Sequence, residues 1–569
     1  MYWPDWFLID VHFNDRPWRH SNWSRSTLNK MAVNILGVIA VAVFYILILV
    51  IGVYAGRKTV KSGTTEELLV ADRGLGLIVS FFTMTATMVG GAFINGTAEI
   101  IASSGIVWTQ APVGYCLSFV IGGLFFAPQM REAGYFTMFD PFQQKLGKYV
   151  GAVLCIPQFL SDLFWTAAVL AALGSTISII LDINQTLAII ISSCIAVFYT
   201  FLGGLWSVAY TDVIQLICIA VGLVTAVPFA MTHPAVDYTR INSTWKGEIQ
   251  PSQMGSYFDI YCLLIFGGIP WQVYIQRCLA CKTPQRARIA SFVASIGCFL
   301  FAVPAACLGI AAAATDWNQT TYGGDVPIPA TMMSYVLPLA LQHLCPAPVA
   351  IIGLGAISAA VMSSADSSIL SSASVFAMNI FKPLFRPQAS DGEISWVIRI
   401  SVLVCGLLST LVALSARSVY GLYVLCSDLM YVIMFPQLIC ILYFKGTNAY
   451  GSVTAFVVSF TLRIVGGESL LSLPALVHYP FYSPEYGQNF PFRTFAMITS
   501  FLIIVSLSKL TEMLFRKNLI PKKYDVLMCL SDNIRENGEL SKSNTPRVFK
   551  NFAMDDMSNA KRRPGFEET

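Results

Sequence analysis

Hydroxyl side chains are concentrated in one apolar stretch of the chain, residues 348–381. This stretch contains Ser358, Ser363, Ser364, Asp366, Ser367 and Ser368. On a 3.6-residue helix, Ala360, Ser363 and Ser364 share one face. Hydroxyl and carbonyl oxygens suit a hard cation such as sodium, by analogy with other hard cations. The serines can equally bond back to their own helix or contact a neighbouring helix, so both interpretations remain open.

Three aromatic residues, Tyr115, Trp165 and Trp271, lie well inside apolar stretches. Membrane aromatics usually collect instead at the two interfaces with water. Ring faces around a small space can bind a quaternary ammonium, which has no N–H to donate and is held by cation–π attraction. Ordinary packing of the rings in a protein core is the alternative for each of them.

Carboxylates also lie within the apolar stretches. Three of them are far from the ends: Asp162, Asp366 and Asp428. An ionisable group inside a membrane helix predicts a functional role with a partner in the bundle. Glu99, Asp212 and Asp259 lie nearer the predicted ends, where snorkelling or helix capping is the expected role.

The composition shows which kind of protein must position these residues. Of the 569 residues, 55% are hydrophobic and 12% are charged, and the mean hydropathy is +0.64. A soluble protein carries about twice that charged fraction, so a soluble class is excluded. The net charge of +4 is small and scattered, which excludes a nucleic-acid surface. The five histidines form no cluster that predicts a metal centre or an enzyme.

Thirteen apolar runs are each long enough to cross a hydrocarbon core of about 30 Å as a helix. We number them spans 1 to 13: 34–56, 75–103, 107–128, 148–181, 185–202, 208–231, 257–280, 287–314, 348–381, 396–415, 419–444, 448–466 and 493–514. Exposed backbone polar groups are not tolerated in lipid, and no alternating ten-residue pattern recurs. We therefore predict an all-α membrane protein.

Positive charges in the short loops predict the orientation. One alternating set of loops contains 13 Lys and Arg residues and the opposite set contains three, which places the N-terminus outside and the C-terminus in the cytoplasm. Residues 1–30 are then an extracellular tail or an extension, 31–515 the membrane domain, and 516–569 a cytoplasmic, disordered tail. The sequons at Asn242 and Asn318 fall on the outer side, where they can be glycosylated.

Two spans contain helix-breaking residues at their middles, Thr87–Gly91 in span 2 and Phe266–Trp271 in span 7. Glycine pairs in membrane helices often serve close packing. Here, however, the breaks are five spans apart, so spans 2–6 and 7–11 form two halves of opposite orientation, and each half opens with its broken helix. Inverted repeats of this kind place a substrate and its coupling ion near the bilayer midplane.

Several motifs together resemble the choline-transporting members of the sodium/solute symporter family. They are Phe82-Thr-Met-Thr-Ala-Thr87, Ile94-Asn-Gly-Thr-Ala-Glu99, Gln110-Ala-Pro-Val-Gly-Tyr115, Val208-Ala-Tyr-Thr-Asp-Val213, Gly267-Gly-Ile-Pro-Trp-Gln272, Ala314-Thr-Asp-Trp-Asn-Gln-Thr320, Ala359-Ala-Val-Met-Ser-Ser-Ala-Asp-Ser-Ser-Ile369 and Phe444-Lys-Gly-Thr-Asn448. The resemblance covers residues 31–515 and leaves out only the two tails.

This resemblance implies a leucine-transporter-type fold with broken spans 2 and 7. It also implies sodium- and chloride-dependent, high-affinity choline uptake at the plasma membrane. Such uptake supplies acetylcholine synthesis in cholinergic presynaptic terminals, where the transporter is also found on synaptic vesicles. No organic cofactor is implied, and the sequence identifies no chloride ligand.

The resemblance also implies residue roles. Sodium would be held by the carbonyls of Ala86, Val89 and Ala360 and the hydroxyls of Ser363 and Ser364. Choline would lie among Tyr115, Trp165 and Trp271, with Tyr423 as a further wall.

The sequence departs from the family pattern at the first break. Met88 stands where the choline transporters carry a tryptophan, and Asp162 stands where a glutamate is expected. A thioether can pack against methylammonium groups but lacks a ring quadrupole. A sodium-coupled symporter of another small organic solute, or a ligand sensor that does not transport, therefore remains an alternative.

Overall fold

A computed structural model describes residues 64–202, 204–239, 245–416, 418–484 and 486–527, with scattered positions between Ile39 and Tyr54. Several predictions fall outside these residues. They concern the tail 1–30, most of span 1, Asn242, and positions 528–569 of the C-terminal tail.

Each of spans 2 to 13 is helical in the described part of the chain. The helices are Leu77–Met88 with Gly91–Ser104, Ile106–Glu132, Lys148–Leu181, Gln185–Leu202, Leu205–Met231, Pro251–Ala280, Pro284–Ala314, Ala347–Phe385, Asp391–Ser415, Val419–Tyr443, Ala449–Val465 and Phe492–Arg516. By length and hydropathy, nine of the described helices can cross a membrane, or ten with the bent pair of span 2. Spans 5 and 12 form shorter apolar helices. The all-α membrane class is confirmed.

Span 2 is broken at its middle, and its two helices are bent by 46°. The first helix ends at Met88, and Gly90 is extended, with φ −100° and ψ −173°. A Cβ atom at Gly90 would overlap the Oγ atom of Ser364 in span 9, and one at Gly91 would overlap the side chain of Val361. The glycines therefore let the break lie directly against span 9.

Span 7 is interrupted after Gly267 and becomes helical again at Gln272. Trp271, the last residue of the interruption, is extended, with φ −94° and ψ 126°. A Cβ atom at Gly267 would overlap the carbonyl of Ser427 in span 11. A Cβ atom at Gly268 would lie 3.0 Å from the ring of Tyr115 in span 3. The second break is thus packed between spans 3 and 11.

Spans 4 and 9 are the longest helices of the described chain, at 34 and 39 residues. Span 9 packs extensively against spans 6 and 4, and span 11 packs against span 4. The largest fully buried side chains include Trp165, Trp271, Tyr115 and Tyr423. The bundle core therefore lies where the two breaks meet the two long helices.

An ion-pair network centred on buried Asp428 joins the interior of span 11 to the end of span 12 and the start of span 13. The Oδ2 atom of Asp428 accepts hydrogen bonds from Nε of Arg463 at 2.6 Å and from Nε of Arg493 at 2.7 Å. Arg463 also pairs with Glu468 in the segment that connects spans 12 and 13. Asp428 therefore has charged partners, as predicted for an intramembrane carboxylate, and they hold three helices together.

Two further carboxylates cap helices from neighbouring spans. Asp259 accepts hydrogen bonds from the backbone N–H groups of Arg493 at 3.0 Å and Thr494 at 2.7 Å, at the start of span 13. Glu99 accepts from the Ser418 hydroxyl at 2.7 Å and from the backbone N–H group of Tyr420 at 3.4 Å, at the start of span 11. Of the two roles expected near span ends, snorkelling or capping, both residues therefore show capping.

The substitution Asp428→Asn should destabilise the fold, because it leaves the buried guanidinium of Arg463 and the partly buried one of Arg493 with less negative charge. Loss of one partner of a buried ion pair typically costs about 3 kcal/mol of unfolding free energy. Thermal unfolding of the purified protein in detergent measures the effect. Arg386→Gln is the control, because it removes an exposed Arg386–Glu393 pair worth at most about 1 kcal/mol. Equal shifts in the two variants would contradict this account of Asp428.

Candidate functional site

Four aromatic side chains that are distant in sequence form one buried cluster. The ring centroids of Trp165 and Trp271 are 4.7 Å apart, those of Trp165 and Tyr423 are 5.1 Å apart, and those of Tyr115 and Tyr423 are 5.3 Å apart. The angles between the ring planes of these three pairs are 80°, 37° and 55°. All four rings are at most 2% exposed. The structure therefore brings together the three aromatic residues that the sequence pattern indicates and Tyr423, which the family resemblance implies as a further wall. We call them the aromatic cluster.

Hydrogen bonds hold two members of the aromatic cluster in place. The Nε1–H group of Trp271 donates to Oδ1 of Asp162 at 2.7 Å. The Oδ2 atom of Asp162 accepts from the hydroxyls of Ser372 at 2.7 Å and Ser371 at 3.3 Å, both in span 9. The hydroxyl of Tyr115 is bonded to that of Ser427 in span 11. Asp162 thus orients Trp271 and places a carboxylate beside the rings.

The aromatic cluster offers π faces and a nearby carboxylate to a cation. A ring face attracts a desolvated cation within about 6 Å by about 2 kcal/mol. Met88 is buried at the end of the first helix of span 2, immediately before the break. The inclined rings are suitable for the walls of a small cationic site, although edge-to-face core packing has the same geometry.

Oxygen atoms of spans 2 and 9 come together at the first break. Because the helix ends at Met88, the carbonyls of its last turn, which include that of Ala86, are not all used within the helix. The Ser364 hydroxyl donates to the Thr87 carbonyl at 3.1 Å. The Ala360 carbonyl lies 3.4 Å from the position of a Cβ atom at Gly90. Val89 follows directly, its N–H bonded to the Thr85 carbonyl at 2.8 Å. This donor set is chemically suited to sodium.

Asp212 of span 6 joins the same region, which corrects our sequence interpretation. Its two carboxylate oxygens accept hydrogen bonds from the hydroxyls of Ser363 and Thr83, and it is fully buried. We expected Asp212 to lie near a helix end and to snorkel or cap. The helix begins at Leu205, three residues before the apolar run, so Asp212 lies two turns inside. The sequence did contain a signal for this role, because Asp212 is a carboxylate within an apolar run.

Span 9 connects this oxygen-rich region with the aromatic cluster. The hydroxyl of Ser367 lies 3.2 Å from that of Thr87 and accepts a hydrogen bond from the buried guanidinium of Arg277 in span 7. Ser368 is bonded to Thr166 of span 4 at 2.7 Å. From Ser364 to the Asp162 partner Ser371 is seven residues, or about 10 Å along a helix. One rigid element therefore contacts both regions.

The remaining two predicted carboxylates lie elsewhere. Asp366 accepts a hydrogen bond from the Thr200 hydroxyl of span 5 at 2.7 Å, on a different side of span 9 from Ser364. Asp428 belongs to the ion-pair network described above. Of the three carboxylates predicted to be functional, Asp162 is therefore the one in contact with the aromatic cluster. Of the two predicted glycosylation sites, Asn318 lies within the described residues, and its side chain is exposed.

A helical membrane bundle with a broken helix beside an oxygen-rich region and a buried aromatic cluster is the architecture expected of ion-coupled transporters. Residues 68–459 match the Sodium:solute symporter family, and the chain belongs to that family. This confirms the family resemblance, and it places the chain among transporters, not enzymes.

Two curated relatives and one solved structure are similar along most of the chain. The High affinity choline transporter 1 of Homo sapiens is 50% identical over 513 residues, 87% of this chain and 88% of that protein. The High-affinity choline transporter 1 of Drosophila melanogaster is 49% identical over 519 residues, 90% of this chain and 84% of that protein. The solved substrate-bound, outward-open Na⁺-coupled sialic acid symporter is 17% identical, covers 84% of this chain and 97% of its own, and has a TM-score of 0.68. This chain therefore shares its fold.

The substitution Gly90→Ala should weaken sodium binding, because the added methyl group overlaps the Ser364 hydroxyl. Sodium binding to the native state stabilises the protein by RT ln(1 + [Na⁺]/Kd). We expect the sodium Kd, fitted from the unfolding temperature as sodium replaces potassium at constant ionic strength, to rise about tenfold. Gly355→Ala in span 9 is the control, since no described atom beyond the local helix backbone lies within 4 Å of a Cβ there. An unchanged sodium response in Gly90→Ala would place the ion elsewhere.

Proposed function

We propose that this protein is a sodium-coupled, high-affinity choline transporter that moves choline across the plasma membrane by alternating access. The observation that carries the proposal is the buried aromatic cluster, with Asp162 beside it, in a chain about half identical to high-affinity choline transporters. Choline carries a permanent charge and its ammonium has no N–H group. Ring faces therefore provide its recognition, with choline bound among Tyr115, Trp165 and Trp271 and against Tyr423 and Met88.

We assign the coupling ion to the break in span 2. Its ligands are the carbonyls of Ala86, Val89 and Ala360 and the hydroxyls of Ser363 and Ser364. The arrangement at Gly90, where Ser364 bonds the Thr87 carbonyl, supports this assignment. In this mechanism sodium fixes the shape of the break, and span 9 transmits that shape to Asp162 and Trp271.

Sodium then supplies the work of uptake. A tenfold sodium gradient provides about 1.4 kcal/mol, and a potential of about 60 mV adds about 1.4 kcal/mol for each charge moved. Because choline is itself positively charged, the membrane potential adds further free energy to its uptake. Chloride accompanies transport in this proposal and offsets part of the positive charge that enters.

The proposed topology has thirteen spans, with the N-terminus and residues 1–30 outside and 516–569 in the cytoplasm. Spans 2–6 and 7–11 form the two halves of a leucine-transporter-type inverted repeat within the membrane domain 31–515. Two features support it: the breaks open both halves, and spans 4 and 9, third in each half, are the longest described helices. Exposed Asn318 is then an outer glycosylation site, as is Asn242. Choline delivered in this way supplies acetylcholine synthesis in cholinergic terminals, with the transporter also carried on synaptic vesicles.

Ion-substituted uptake tests the coupling. Cells or reconstituted vesicles should accumulate labelled choline in sodium, and uptake should fall to background when lithium or N-methylglucamine replaces it. Met88→Trp, assayed beside the wild type, should bind choline more tightly because it adds a ring face. Uptake that is unchanged without sodium would refute coupling. Binding without flux would indicate a sensor, and preference for another solute over choline would indicate a different symporter.

Substitutions in the two regions should have different kinetic effects. Trp271→Ala removes a ring face worth about 2 kcal/mol, so we expect the choline Km to rise about 30-fold. Ser364→Ala removes an ion ligand and should mainly raise the sodium concentration needed for half-maximal uptake. The controls are Trp396→Ala, at a side chain 59% exposed on the bundle surface, and Ser358→Ala, whose hydroxyl bonds back to its own helix. Wild-type kinetics in both site variants would show that the assignment is wrong.

A further inference from the structure

The indole N–H group of Trp165 has no hydrogen-bond acceptor among the described residues, although the side chain is fully buried. A buried tryptophan normally finds a partner for this group. Leaving such a donor unpaired costs about 1–3 kcal/mol. The position of Trp165 in the core is therefore unfavourable unless something else accepts its hydrogen bond.

Two other donors of the aromatic cluster are already used, whereas the Tyr423 hydroxyl, like the Trp165 N–H group, has no partner among the described residues. The Nε1–H of Trp271 donates to Asp162 at 2.7 Å, and the hydroxyl of Tyr115 is bonded to Ser427. Trp165 lies between Trp271 and Tyr423, with ring centroids 4.7 and 5.1 Å from theirs. Its unpaired donor thus belongs to a central wall of the proposed choline site.

The chemistry of the indole group restricts what can pair with it. It is a donor with no acceptor capacity, so its partner must present a lone pair. The trimethylammonium head of choline has none, whereas the hydroxyl oxygen at the other end of the molecule has two. A site with an unused donor beside cation-binding rings therefore matches a quaternary amine that carries an oxygen two carbons away.

We propose that the Nε1–H of Trp165 donates a hydrogen bond to the hydroxyl oxygen of choline and selects it over alkyl analogues. This inference rests on the proposed function and assigns the oxygen-recognising donor of that site. A site built to bond a substrate oxygen discriminates against the analogue that lacks it, because the buried donor is then left unpaired.

Competition with labelled choline uptake tests the inference, using two analogues. Propyltrimethylammonium replaces the hydroxyl by a methyl group, and 2-methoxyethyl-trimethylammonium keeps the oxygen acceptor but has no O–H to donate. For the wild type we expect the propyl compound to inhibit about tenfold more weakly than choline, as for one lost hydrogen bond. The methoxy compound should inhibit better than the propyl compound.

Variants assign the effect to the indole donor. Trp165→Phe keeps a ring and removes the N–H group, so the ratio of inhibition constants for propyltrimethylammonium and choline should fall close to one. Trp271→Phe is the matched control, since its N–H is occupied by Asp162; it should weaken both compounds and leave the ratio unchanged. Surface labelling checks that each variant is present at the membrane.

Three outcomes would overturn the inference: equal inhibition by choline and its propyl analogue in the wild type, a methoxy analogue no better than the propyl one, or an unchanged ratio in Trp165→Phe. If Tyr423→Phe, and not Trp165→Phe, lost the discrimination between choline and its propyl analogue, the Tyr423 hydroxyl would be the group that recognises the choline oxygen. The wild-type comparison stands even if Trp165→Phe does not fold. A wild type without sodium-dependent choline uptake would contradict the proposed function itself, which is a separate result.

Discussion

A helix that breaks inside a membrane must satisfy its freed backbone groups within the protein, because hydrocarbon offers no hydrogen bonds. In this molecule the break in span 2 meets that requirement by direct contact with span 9. Gly90 has no Cβ atom to separate the two elements, and Ser364 donates to the carbonyl of Thr87. The break also leaves carbonyl oxygens of span 2 without helical partners. These oxygens face the protein interior, where they are available to a cation.

Span 9 gives this contact a wider role. Successive serines on one helix face the break in span 2, the side chain of Thr166 and the carboxylate of Asp162. Asp162 in turn fixes the indole of Trp271, which follows the break in span 7. The two breaks are thus joined through one helix and one carboxylate, without a direct bond between them.

Local patterns predicted much of this architecture. Apolar runs predicted the helices, and glycine and proline in mid-span predicted the breaks at Gly90 and Gly268. Aromatic residues far from span ends predicted which rings would meet. The sequence could not show that Ser363 pairs with Asp212, since the two are 151 positions apart and periodicity within a helix carries no information on its neighbours. It also could not show that Trp271 has a hydrogen-bond acceptor whereas Trp165 has none among the described residues.

Two neighbouring residues of span 11 face different parts of the molecule. Ser427 bonds the hydroxyl of Tyr115 in the aromatic cluster, whereas Asp428 bonds Arg463 and Arg493, which flank the segment between spans 12 and 13. The segment is therefore linked to a wall of the cluster through a single peptide unit. If an antibody fragment bound to this surface segment altered solute affinity, the solute would alter the affinity of the fragment by the same factor, because coupling between two sites is reciprocal.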